Sequence, residues 1–92
     1  MIDPRLLGRW MLVSEEQELR VAEFEADGRL TYRVDLVDRQ LVLLLAFRVE
    51  ESEIVTTQPP QHEETRSHYE LPDADTLVMQ HGSEPFTYRR MP

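Results

Sequence analysis

The chain contains no cysteine, no lysine and no asparagine. Without cysteine there is no disulfide framework, no thiolate nucleophile and no sulfur-ligated zinc. Without lysine there is neither a Schiff-base amine nor a phosphate-binding P-loop. All 10 basic residues are therefore arginines, a usage that codon bias in a GC-rich genome accounts for. Positive charge is also scarce relative to negative, with 18 acids and a net charge of −8. That balance disfavours nucleic acid, whose binders cluster cations against phosphate. It disfavours anionic membrane surfaces for the same reason, and makes a basic partner the expected charged one. The opening "MIDPRLLGRW" lacks the apolar core of a secretion signal. The unbroken apolar run Leu41 to Phe47 falls well short of the roughly 20 residues of a membrane span. A soluble cytoplasmic protein is expected, with no cofactor and no metal.

What is present is a small globular composition. Ninety-two residues, 40% of them hydrophobic, suit one domain over 1–92 that buries roughly 60–65% of its unfolded surface. "DPRL" predicts a short helical turn, with Asp3 as cap and Pro4 in the first turn. No later segment carries a helical period. Strands are predicted over 10–14, 19–26, 29–36, 41–49, 54–57, 65–71, 76–81 and 86–90. The third has the cleanest alternation, with Leu30, Tyr32, Val34 and Leu36 on one face and Arg29, Thr31, Arg33 and Asp35 on the other. Asp27-Gly28 between two alternating runs is a hairpin signal, and the Pro59-Pro60 loop cannot join a central ladder. About eight short strands joined by tight turns predict an all-β antiparallel up-and-down meander. Closure into a barrel would remove its exposed edges.

At Gly8-Arg9-Trp10 the chain resembles the lipocalin-like (calycin) superfamily. "LLGRWMLVSEE", "FEADGRLTYRV", "SHYELPDADTLVM" and "FTYRRMP" follow in the order of that family's first strand, early hairpin, late hairpin and last strand. The resemblance implies that Trp10 closes the bottom of a barrel with an arginine of the last strand across its ring. Arg90 shares a phase with Phe86 and Tyr88 and is the better candidate, with Arg89 the second. On the bland alternative, Trp10 is simply a core residue. The chain departs from the family in length, leaving no room for a C-terminal helix or a helical lid. Large inward side chains such as Phe24, Tyr32, Phe47 and Tyr69 also weaken the implied ligand binding.

Inward polar residues are the pointers to a small apolar or amphipathic ligand: Tyr32, Thr56, Ser67, Tyr88 and, at a strand end, His81. Equally, these hydroxyls satisfy one another. His62 and His68 match no common zinc spacing. Ser67 and His68 are neighbours on a strand and face opposite ways, so they form no catalytic dyad. A non-enzymatic protein is expected. Two functions stay open: a carrier with an unfilled barrel, and a protein-interaction module with an apolar patch outside. The run "RQLVLLLAFRVE" favours the patch. With Leu41, Leu43, Leu45 and Phe47 turned inward, Val42, Leu44 and Ala46 lie outside, where exposure of Val42 and Leu44 costs about 1.5–3 kcal/mol each. A homodimer or other protein partner docked on the outer face of the 41–49 strand is therefore predicted. In the alternative, Ile2, Leu6 and Leu7 fold over that strand from outside.

Overall fold

A computed structural model describes residues 3–13, 19–59, 63–81 and 83–91, and of His81 only the backbone. Ile2, Ser14 and His62 lie outside the described residues. A 3-10 turn, Pro4–Leu6, precedes eight strands: β1 (Gly8–Leu12), β2 (Leu19–Phe24), β3 (Arg29–Asp35), β4 (Gln40–Glu50), β5 (Glu53–Thr57), β6 (Glu64–Asp73), β7 (Thr76–His81) and β8 (Glu84–Arg90). Each pairs antiparallel with the next, and β1 returns to β8, closing a barrel in simple up-and-down order. Among the described residues, no helix is long and apolar enough to cross a membrane.

The elements follow from local chemistry. Asp3 caps the first turn by accepting the Arg5 amide at 3.0 Å, and Pro4 stands where no helical N–H is needed. At Asp27-Gly28 the chain reverses because Gly28 takes a φ of +90°, open to a residue without Cβ. Glu25 and Arg29 close that hairpin, the Glu25 amide meeting the Arg29 carbonyl at 2.9 Å. Five strands begin one or two residues earlier than predicted: β1 at Gly8, β4 at Gln40, β5 at Glu53, β6 at Glu64 and β8 at Glu84. β8 takes in Pro85 near its start, and β6 takes in Pro72 beside the register shift between Glu70 and Asp73. Those are positions where a missing ladder donor is tolerated.

Register puts alternate residues inside, so Trp10, Ala22, Phe24, Leu30, Phe47, Ile54, Tyr69, Leu77 and Tyr88 form one buried cluster. Phe24 and Phe47 meet edge to face at 5.0 Å, an arrangement worth about 0.5–1.5 kcal/mol beyond burial. Leu6 is fully buried within this cluster and Leu7 packs against it. The 3-10 turn thus plugs one end of the barrel. It does not fold over β4 from outside, which corrects that alternative: Leu6 reaches the interior because the indole of Trp10 donates to its carbonyl at 2.8 Å.

The plug is held by two further contacts. The hydroxyl of Tyr69 on β6 donates to the Asp3 carboxylate at 2.9 Å. The Arg5 guanidinium, hydrogen-bonded to the same carboxylate, holds Asp3 down to about 2 from an ordinary 3.8. A carboxyl whose folded value is depressed adds stability above its unfolded value and loses it as pH falls through the folded one. For Asp3 that window runs from about 4 down to about 2. Asp3→Asn should therefore be less stable than wild type at pH 5, and the gap should close at pH 2. Urea midpoints at the two values check this, and a gap that persists at pH 2 refutes it.

Candidate functional site

At the closed end, the Arg90 guanidinium lies 4.2 Å above the centre of the Trp10 ring. It also donates to the carbonyls of Leu7 at 2.8 Å, Arg5 at 2.7 Å and Ala74 at 2.9 Å. Gly8 explains why a glycine stands two residues before the tryptophan. Its φ is +117°, and a Cβ there would lie 3.0 Å from the Arg90 guanidinium. Gly8, Trp10 and Arg90 thus form one structural unit, with Arg89 on the opposite, exposed phase. Its chemistry is that of a latch; nothing in it offers a proton or a nucleophile.

The inward hydroxyls are largely engaged with the protein. Tyr88 is buried and hydrogen-bonded to Tyr32; burial first, and then Tyr32, push its phenol up, so it stays protonated at any ordinary pH. Thr56 donates from Oγ1 to the Thr65 carbonyl at 3.4 Å. Ser67 lies half-buried opposite Ile54, and the side chain of His81 is outside the described residues. The structure therefore brings Tyr32 and Tyr88 together while Thr56 and Ser67 sit on the neighbouring β5 and β6. The barrel's second end is less well covered. Leu41, Leu43 and Phe86 are on the inward phase yet remain 48%, 44% and 38% exposed.

Polar surface residues give one arrangement that sequence spacing did not reveal. Ser52, His68 and Glu70 line up, with Ser52 Oγ 3.4 Å from His68 Nδ1 and His68 Nε2 3.8 Å from Glu70. Proton relays operate at about 2.6–3.2 Å, and all three residues are exposed. The row is a solvated turn contact. Among the described residues no group of three or more His, Asp or Glu side chains is placed to hold a metal ion.

The outer face shows a contrast. Val55 points outward but is 1% exposed. Its partners across the ladders are Arg48 and Arg66, which are tied to Glu50, Glu53 and Glu64 in a network that roofs it. The network includes a 2.6 Å contact from Arg48 to Glu64. Long arginine stems cover apolar surface in this way while their heads stay wet. Val42, Leu44 and Ala46 on β4 have no such roof. Val42 is 50% and Leu44 66% exposed, and Ala46 is exposed beside them. A groove of about 250 Å³ opens here, lined among others by Thr31, Leu44, Ala46, Arg29, Glu25 and Pro59. Arg29 is already paired to Asp27 at 2.6 Å and lies 3.9 Å from Glu25, so the charges that line the groove are neutralised within the protein.

β4 is the residue-level reason for both exposed regions. It is the longest strand, and its first half meets β3 but runs past the start of its ladder with β5. Both faces of that half are therefore wet. Four consecutive apolar residues, Leu41 to Leu44, are each at least 44% exposed. Comparison with models of protein families, with curated proteins and with solved structures finds no match.

Proposed function

We propose that this protein is a non-enzymatic, lipocalin-like interaction module that assembles as a homodimer through the projecting half of β4. The lipocalin-like reading is supported by Gly8, Trp10 and Arg90, which make the closing latch of the barrel. The interaction reading rests on one observation, the exposure of Leu41, Val42, Leu43 and Leu44 together. Other exposed apolar residues, such as Val13 and Val37, belong to no such run, and Val55 is hidden beneath ion pairs. A contiguous apolar patch left in water on an otherwise charged surface marks a contact site. Symmetric pairs are the commonest way to cover one.

A second reading is favoured by Leu43 and Phe86. They present apolar surface at the barrel's less covered end, where a small apolar or amphipathic ligand would seat above the Tyr32–Tyr88 pair. A native mass spectrum separates the two. The expected result is a species at twice the 10.9 kDa chain mass, without added ligand. A bare monomer at every concentration would refute the dimer, and a monomer carrying a co-purified small molecule would establish the second reading in its place.

A further inference from the structure

We draw no further inference here: the strongest candidate, the apolar overhang of β4 from Leu41 to Leu44 with the groove that Ala46 and Pro59 help to line beside it, carries nothing more because it belongs to the site already described and nothing in the structure shows what covers it.

Discussion

Arg90→Ala should lower stability by about 3 kcal/mol, which for a chain of this size means a fall in Tm of roughly 10–20 °C. One side chain closes the barrel's end in four ways. It lies across Trp10, a contact worth about 0.5–2 kcal/mol. It also supplies donors to the Leu7, Arg5 and Ala74 carbonyls, and bonds from a charged donor contribute about 1.5–3 kcal/mol where water cannot replace them. The outer two can be rewetted, which keeps the total below their sum. Arg90→Lys should rescue little, because a point charge cannot span three carbonyls and an aromatic face together. Arg89→Ala, one residue back on the exposed phase, should stay within about 0.5 kcal/mol of wild type. Thermal unfolding of the three variants decides the matter. A loss below about 1 kcal/mol for Arg90→Ala would show that the latch is incidental.

Leu44→Asp should convert the proposed dimer to a 10.9 kDa monomer by light scattering while leaving the far-UV spectrum unchanged. In the isolated barrel the side chain is 66% exposed, so a carboxylate there is simply hydrated. In a symmetric interface the same change buries two unpaired like charges in an apolar joint. The penalty for an uncompensated buried charge is several kcal/mol, so the Kd should rise about a thousandfold or more. Asp introduced at Val37, which is 95% exposed at the β3–β4 turn and outside the overhang, is the control and should leave the dimer intact. A Leu44→Asp protein that still dimerises would place the contact elsewhere.

Much of this architecture could be read along the chain because each strand pairs with the next. Alternation alone put Leu30, Tyr32 and Val34 on one face, and the register with β2 and β4 follows that phase. Trp10 and Arg90 were placed together by resemblance, and the structure adds why Gly8 is needed between them. What could not be read depends on relative length and on closure. The run from Leu41 to Phe47 suggested that only the outward set was exposed; Leu41 and Leu43 are exposed as well, because β5 is too short to flank them. The roof over Val55 was equally invisible, since Arg48 and Arg66 come from two different strands. The Tyr32–Tyr88 bond joins β3 to β8 across the interior, and only a closed barrel brings them within reach.

The indole beneath Arg90 also has a spectroscopic consequence. Trp10 is the only tryptophan in the chain, and it sits in the one ladder, β1 with β8, that joins distant parts of the sequence. Its emission therefore reports the seam, whereas far-UV circular dichroism reports the local hairpins. Stopped-flow refolding followed by both signals would time the sealing of the barrel separately from the formation of its strands, without any label being introduced.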